Sequence, residues 1–182
     1  MPRINRPYER IKMNVINRSR RSEHPRLIVL HSTEGHNRTG VGDLRDLGNY
    51  FDNPKVEASS HVGVDAEGYS AKYVDDGEKA WTCAGFNGAS LNIEQIGFSS
   101  QKFWPDAQER KVAKYIAYWS RRYAIPIRKG MVNPTNGAIY NSGILRHSDL
   151  GDYGGNHNDP GPGYDLRRVL RLARYYRKVG VR

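Results

Sequence analysis

Apolar and polar positions recur along the chain in patterns that predict several strands. Residues 26–33 (RLIVLHST) are a run of mostly apolar residues rich in β-formers, which is typical of a buried strand. Residues 90–98 (SLNIEQIGF) alternate between apolar and polar positions and predict another strand. The segments SSHVGVD and YSAKYVD flank the turn AEG and predict a hairpin.

Three segments are predicted to be helices. A helix from Asp106 to about Tyr123 is predicted by apolar residues at Val112, Tyr115, Ile116 and Trp119. The final helix, residues 164–179, has an apolar face and a basic face, the latter made of Arg167, Arg171, Arg174 and Lys178. Asp43 is expected to cap a short helix that ends before Pro54. Strands interspersed with helices predict a single α/β domain with a central mixed sheet flanked by α-helices.

Size and composition narrow the class of protein. The 182 residues suit one domain with its own core, and no apolar run approaches the roughly 20 residues that span a bilayer. The first 26 residues are charged throughout and lack the apolar stretch of a secretory signal. Cys83 is the single cysteine, so internal disulfides and a four-cysteine zinc site are excluded. A zinc site would need His, Asp or Glu, with Cys83 as at most one ligand.

The net charge of +10 predicts a polyanionic partner, such as nucleic acid, an anionic membrane or an anionic wall polymer. The excess lies at the ends of the chain. Residues 1–26 hold eight Lys or Arg against two acids, and residues 166–182 hold seven against none. We therefore expect a basic N-terminal arm, residues 1–23, followed by the main domain, residues 24–182, with the basic surface separate from any active centre.

Three residues suggest a metal site. His31 ends an apolar strand, His147 follows an apolar segment, and Asp159 lies on a loop stiffened by Pro160 and Pro162. A catalytic zinc takes three protein ligands and keeps one open position. Taken singly, each histidine could equally pack or donate a hydrogen bond, and an Asp before Pro-Gly is commonly a turn residue. A site with two histidines and one carboxylate also suits iron or manganese.

Six motifs in order give the chain a family resemblance. They are LHST (30–33), SSHVGVDAEG (59–68), AWTCAGFNG (80–88), NIEQIG (92–97), RHSDL (146–150) and NHNDPGPGYD (156–165). Together they resemble the zinc-dependent N-acetylmuramoyl-L-alanine amidases, a family that includes phage amidases and peptidoglycan recognition proteins. The resemblance covers roughly residues 26–175. It implies that His31, His147 and Asp159 bind zinc. It also implies a groove above the central sheet.

The resemblance also implies catalytic roles. Glu94 matches the family's catalytic glutamate, although alternation alone would also fit a solvent-facing position. His157 stands where several relatives have a lysine. It would stabilise the oxyanion or carry a proton to the leaving nitrogen, unless it is only a turn residue. The chain departs from some phage relatives at Ser60, where they have a catalytic tyrosine, and at Thr82, where a histidine often follows the tryptophan.

Substrate contacts are expected from the motifs around the groove, namely His61, Trp81, Phe86 and Asn87. Core packing is an equal alternative for Trp81 and Phe86. Cys83 as a cysteine nucleophile is a remote option that the family does not use.

The function that the resemblance implies is hydrolysis, with zinc, of the bond between N-acetylmuramic acid and L-alanine. Small size, charge and the absence of a signal favour a monomeric phage or prophage endolysin. Such an enzyme is made in the host cytoplasm and released to the wall by a holin. The alternatives are a cytoplasmic recycling amidase, a non-catalytic peptidoglycan-binding module, and a basic metal-dependent enzyme acting on nucleic acid.

Overall fold

The computed structural model describes residues 4–38 and 40–181. Its helices are α1 (Gly42–Phe51), α2 (Asp106–Tyr123) and α3 (Leu166–Val179). Its strands are β1 (Ile11–Lys12), β2 (Arg18–Arg20), β3 (Leu27–Ser32), β4 (Val62–Val64), β5 (Ser70–Lys72), β6 (Glu78–Ala80), β7 (Ser90–Gln95), β8 (Met131–Val132), β9 (Ile139–Asn141) and β10 (Gly143–Arg146). Short 3-10 turns occupy Ala84–Phe86, His147–Asp149 and Asp152–Gly154.

A six-stranded mixed sheet forms the centre of the domain, in the order β1-β5-β4-β7-β3-β10. The hairpin β4–β5 is antiparallel, and the other neighbouring strands run parallel. Two two-stranded sheets, β2–β6 and β8–β9, stand beside it. The mixed sheet flanked by helices, the hairpin and the two predicted long strands are therefore confirmed.

The two faces of the sheet have different partners because successive side chains of a strand point to opposite sides. Ile28 and Leu30 of β3 face the helices α2 and α3, together with Leu91 and Ile93 of β7. Leu27 and Val29 face the other way, toward a smaller core that includes Cys83, Phe86 and Leu150. His31 continues this second series, so its side chain lies on the face away from α2 and α3.

The predicted helices α2 and α3 are confirmed, whereas the predicted cap of α1 is wrong. Helix α1 begins at Gly42 after Val41, and Asp43 lies inside its first turn. The Asp43 carboxylate accepts hydrogen bonds from the backbone N–H of Arg38, at 2.6 Å, and from its Nε, at 2.5 Å. Asp43 therefore ties Arg38 of the preceding segment to the helix.

The basic N-terminal segment packs on the domain from residue 4 onward. Ile11 and Val15 are buried, β1 pairs with β5 at the edge of the sheet, and β2 pairs with β6. The predicted boundary at residue 23 therefore does not coincide with a break in packing among the described residues. In residues 4–38 and 40–181, no helix is long and apolar enough to cross a membrane.

Candidate metal centre and active-site cleft

Three buried side chains meet at the carboxyl ends of two neighbouring strands. His31 lies at the end of β3, and His147 directly follows β10. Because Arg146 pairs with Leu30 in the parallel register, the next residues, His147 and His31, come side by side. Asp159 reaches them from the loop before α3. One ligand atom from each of these three residues lies within 4.8 Å of the other two.

Hydrogen bonds orient both imidazoles so that their Nδ1 atoms face the same point. His31 Nε2 donates to Asn92 Oδ1 at 3.0 Å, and His147 Nε2 donates to the Gly154 carbonyl oxygen at 2.9 Å. A neutral histidine that donates from Nε2 has a lone pair on Nδ1. The two Nδ1 atoms lie 3.0 Å apart. Two lone pairs at this distance repel each other unless a cation lies between them.

The spacing of the three ligand atoms fits a small tetrahedral cation. His147 Nδ1 is 3.1 Å from Asp159 Oδ1, and His31 Nδ1 is 3.6 Å from Asp159 Oδ2. Bonds of roughly 2.0–2.1 Å to zinc place tetrahedral ligands about 3.3–3.4 Å apart. Metal-binding histidines usually donate their second nitrogen to an oxygen, as both histidines do here. The donor set therefore fits a metal of the zinc type.

Burial and charge set the ionisation of these groups. Burial, with some contribution from His147, lowers the pKa of His31 to about 3, which keeps the ring neutral. Burial opposes ionisation of Asp159. The adjacent imidazoles of His147 and His31 and a hydrogen bond from the Ser32 backbone N–H outweigh burial and lower the Asp159 pKa. A neutral imidazole and an ionised carboxylate are the forms that bind a metal.

The three residues line an open cleft with a volume of about 500 Å³. Its walls come from the β3–α1 loop, from α1 and from the segment after β6, including Glu34, Tyr50, Trp81 and Asn87. A neighbouring depression of about 680 Å³ shares Thr33, Leu47 and Tyr50 with the cleft. The cleft therefore continues past the metal centre and has room for an extended substrate.

Glu94 also lines this cleft. It lies on β7 opposite His31 of β3 in the parallel register. The side chain is partly exposed, and its Oε2 has no hydrogen-bond partner among the described residues. Burial and the nearby charges of Asp159 and Glu34 raise its pKa well above the ordinary value. A dication at the three ligands would favour its charged form.

His157 lies at the mouth of the cleft, beside the metal ligands. Its ring stacks on that of His147, with centroids 4.2 Å apart and planes 12° from parallel. Its Nδ1 is 3.7 Å from Asp159 Oδ1, and 58% of the side chain is exposed. Burial and the charge of His147 lower its pKa. The structure thus brings His157 to the cleft with Glu94 and the three ligands.

Two of the four residues expected to contact substrate line the cleft. Trp81 has its Nε1 fixed by a 3.0 Å hydrogen bond to Ser19 Oγ. Asn87 accepts hydrogen bonds from the backbone N–H groups of Thr82 and Cys83, which fixes the loop that forms this wall. Both side chains remain partly exposed to the cleft.

His61 and Phe86 do not reach the cleft, so the expectation of substrate contacts there needs correction. Phe86 is 1% exposed and packs in the core under the cleft wall. His61 is fully buried, accepts a hydrogen bond at Nδ1 from the Asn92 backbone and lies 3.2 Å from the Glu78 carbonyl oxygen through Nε2. Both side chains lie in packed interior rather than on the cleft wall.

Cys83 is also excluded from the chemistry of the cleft. It is fully buried, its Sγ lies 3.1 Å from Ser90 Oγ, and burial raises its pKa to about 12. A protonated, buried thiol is neither a nucleophile nor a metal ligand.

Sequence reasoning missed Asn92 and Glu34. Asn92 holds His31, and its place two residues before Glu94 on one strand could have revealed that both side chains share a face. Glu34 has a positive φ of 52° and accepts hydrogen bonds from Ser32 Oγ, at 2.6 Å, and from the Ser99 backbone, at 2.8 Å. It lines the cleft because of a loop conformation that no sequence pattern predicts.

Comparisons with known proteins agree with this architecture. Residues 21–162 match the family described as N-acetylmuramoyl-L-alanine amidase. An AmpD derivative is 21% identical, with a TM-score of 0.69 over 93% of this chain and 98% of that one. The AmiA hydrolase of Staphylococcus aureus, solved with its ligand, is 18% identical, with a TM-score of 0.70 over 97% and 86%.

A third similar structure is the endolysin LysCS from Clostridium intestinale. It is 13% identical, with a TM-score of 0.61 over 90% of this chain and 95% of that one. At these identities the three structures establish a common fold. A search of curated proteins returned no match.

Proposed function

Because the chain belongs to the N-acetylmuramoyl-L-alanine amidase family, we propose that it cleaves the amide bond between N-acetylmuramic acid and L-alanine in bacterial peptidoglycan. One observation carries the proposal. A buried pair of histidines and a carboxylate, His31, His147 and Asp159, meet at the floor of an open cleft that Glu94 also lines. Amide hydrolysis needs this combination of an electrophile and a nearby base.

We propose zinc as the metal, held by the two Nδ1 atoms and the Asp159 carboxylate. When bound, zinc supplies Lewis acidity, which polarises the carbonyl group and makes water more acidic. Asn92 and the Gly154 carbonyl keep the two imidazoles in the tautomer that presents Nδ1. The Ser32 backbone N–H holds one carboxylate oxygen of Asp159, at 3.0 Å.

Glu94 is the proposed general base. Its carboxylate, which lines the cleft, accepts a proton from water as that water attacks the lactyl carbonyl carbon. The carbon–nitrogen bond then breaks, and the amino group of L-alanine leaves with a proton. His157, at the mouth of the cleft, either delivers this proton or donates a hydrogen bond to the developing oxyanion. Trp81 and Asn87 are the proposed contacts to sugar or stem peptide.

We further propose that the protein is a wall-lytic enzyme of the endolysin type, from a phage or prophage. It would be made in a host cytoplasm and act on the wall after release by a holin. Support comes from the likeness to LysCS, an endolysin of similar length, and from the strongly basic chain, which favours anionic wall surfaces. The AmpD derivative is more similar in fold than LysCS, with a TM-score of 0.69 against 0.61, so a test of the substrate must distinguish lysis from fragment recycling.

The test is digestion of purified peptidoglycan by zinc-loaded protein, with mass analysis of the products. We expect free stem peptides that begin with L-alanine, together with intact glycan strands. The Asp159→Asn variant should lose this activity, because an amide is a poor metal ligand. Asp152→Asn is the matched control, since Asp152 is exposed and outside the cleft, and it should keep full activity.

Two outcomes would contradict parts of the proposal. If the zinc-loaded protein binds peptidoglycan tightly without cleaving it, the protein is a binding module and not an enzyme. If the protein cleaves small soluble muropeptides but not intact cross-linked walls, its role is recycling and not lysis.

A further inference from the structure

Four positive charges form a straight stripe along α3. Arg167, Arg171, Arg174 and Lys178 follow one another at steps of four, three and four residues, and all four are exposed. At 3.6 residues per turn they fall within an arc of roughly 60°, and they extend over roughly 16 Å of helix. Helix α3 contains no acidic residue. We call these four residues the α3 stripe.

The charges of the α3 stripe are not neutralised. None of the four forms an ion pair with a carboxylate of the residues that the structure describes, and the one Arg174 hydrogen bond goes to the Ile127 carbonyl. Arg168, on another side of the same helix, contacts Asp106 and Glu109 and joins α3 to α2. The helix therefore separates cations that hold the fold together from cations that face solvent.

Several N-terminal cations are used differently, although the sequence shows a similar excess there. Arg6 pairs with Glu9 and Asp76, and Arg18 pairs with Glu78. Arg21 is largely buried and donates to the carbonyls of Glu78 and Ser90, both at 2.9 Å. These three side chains bind the segment to the domain, whereas the α3 stripe is a continuous row of exposed cations.

The α3 stripe lies on the opposite side of the sheet from the metal centre. Leu166, Val169 and Leu170 of α3 pack on the sheet face that carries Ile28 and Leu30, whereas His31 projects from the other face. A molecule bound to the stripe therefore leaves the cleft open. Beside the stripe is a depression of about 570 Å³ with Ile125, Pro126 and Ile127 in its wall and Arg174, Arg177 and Lys178 at its edge.

We propose that the α3 stripe binds a linear wall polymer of polyol phosphodiesters and so anchors the enzyme while the cleft works on peptidoglycan. This rests on the proposed function, which places the protein at the wall. A single row of cations complements a single row of phosphates, and the aliphatic wall of the neighbouring depression suits the carbons of the polyol. Of the linear polyanions, this one occurs beside the proposed substrate.

The experiment compares two full-length variants of equal charge. The stripe variant replaces Arg167, Arg171, Arg174 and Lys178 by Gln. The matched control replaces Lys12, Arg20, Arg45 and Lys55 by Gln. These four are also exposed, and no carboxylate among the described residues pairs with them. Each variant has a net charge of +10 − 4 = +6. Binding to soluble poly(glycerol phosphate) is measured at several salt concentrations, with duplex DNA at the same phosphate concentration for comparison.

We expect the affinity of the stripe variant for poly(glycerol phosphate) to fall at least about tenfold at low salt. The slope of log affinity against log salt should shrink by about 3, as for loss of four phosphate contacts. The control should lose less than about threefold. Equal losses in both variants, or none in the stripe variant, would overturn the proposal, as would tighter binding of DNA by the same stripe.

Two checks keep this result separate from the proposed function. Hydrolysis of peptidoglycan stripped of wall polymer should be equal in parent, stripe variant and control, because the cleft is untouched. If the parent protein does not hydrolyse the stripped peptidoglycan, the proposed amidase activity is refuted, whereas the result on polymer binding still holds. If the fourfold variant does not fold, Arg167→Gln with Arg171→Gln should still weaken polymer binding several-fold.

Discussion

His31 and Glu94 occupy directly opposed positions on two neighbouring parallel strands, β3 and β7. Both side chains therefore leave the sheet on the same face, at its carboxyl edge. Strand pairing, rather than a flexible loop, fixes the proposed base relative to the proposed metal ligand. This arrangement makes the roles of the two residues separable by mutation.

Replacing Glu94 by Gln should lower peptidoglycan hydrolysis by about 10²–10⁴-fold, the usual contribution of a general base. The melting temperature of the metal-free protein should stay equal or rise, because a carboxyl whose pKa burial raises becomes a neutral amide. Turnover and thermal unfolding measure the two effects. Glu23→Gln, at an exposed position away from the cleft, is the control and should change neither. Full activity in Glu94→Gln would remove Glu94 from the mechanism.

Removal of metal should lower the stability of the folded protein. A ligand at 100 times its dissociation constant stabilises by about 2.7 kcal/mol, which corresponds to roughly 5–10 °C in melting temperature for a chain of this size. We expect a chelator to produce this decrease, and zinc to reverse it. The Asp159→Asn variant should melt at the same temperature with and without zinc. If zinc raises the melting temperature of that variant as much as it raises that of the parent protein, the ion binds elsewhere.

Asn92→Ala should weaken zinc binding by about 10–100-fold, because it removes the acceptor that holds the His31 ring. Asn92 is a positioning residue and does not touch the proposed ion. Chelator competition measures the affinity, and nitrogen chemical shifts of His31 report whether Nε2 still carries the proton. Unchanged affinity together with an unchanged His31 tautomer would contradict this role. Asn136→Ala, at an exposed turn, is the control.

His61 should make the protein sensitive to acid. Its pKa is about 3 in the folded protein, through burial and the nearby charge of Arg21, against about 6.5 in an unfolded chain. Between these values the unfolded chain binds a proton that the folded protein does not. The free energy of unfolding therefore falls as pH decreases from about 6.5 to 3, by up to about 1.4 kcal/mol per pH unit for this residue.

His61→Asn isolates this contribution, because the amide oxygen of Asn can still accept the hydrogen bond from the Asn92 backbone. We expect a shallower decrease of unfolding free energy across that pH range, measured by denaturant titration. His24→Asn, at an exposed position, should leave the slope unchanged. An identical pH slope in parent and His61→Asn would mean that His61 does not carry the acid sensitivity.

Several features followed from the sequence because they depend on local patterns. Period-two and helical spacing are properties of neighbouring residues, so β3, β7, α2 and α3 were predicted near their observed bounds. The ordered motifs pointed to His31, His147 and Asp159 as ligands, and the structure brings these three side chains together. The basic face of α3 was equally visible from its spacing.

Only the tertiary structure decided what depends on contacts between distant segments. Asn92 was invisible as a partner of His31 because 61 residues separate them and strand pairing alone brings them together. His61 and Phe86 stand in motifs beside true cleft residues, yet packing buries them. Similar basic charge at the two chain ends became different surfaces, because Arg6, Arg18 and Arg21 contact acids and carbonyls while the α3 stripe faces solvent. A sequence specifies which groups are available, and burial and pairing determine which of them remain free to act.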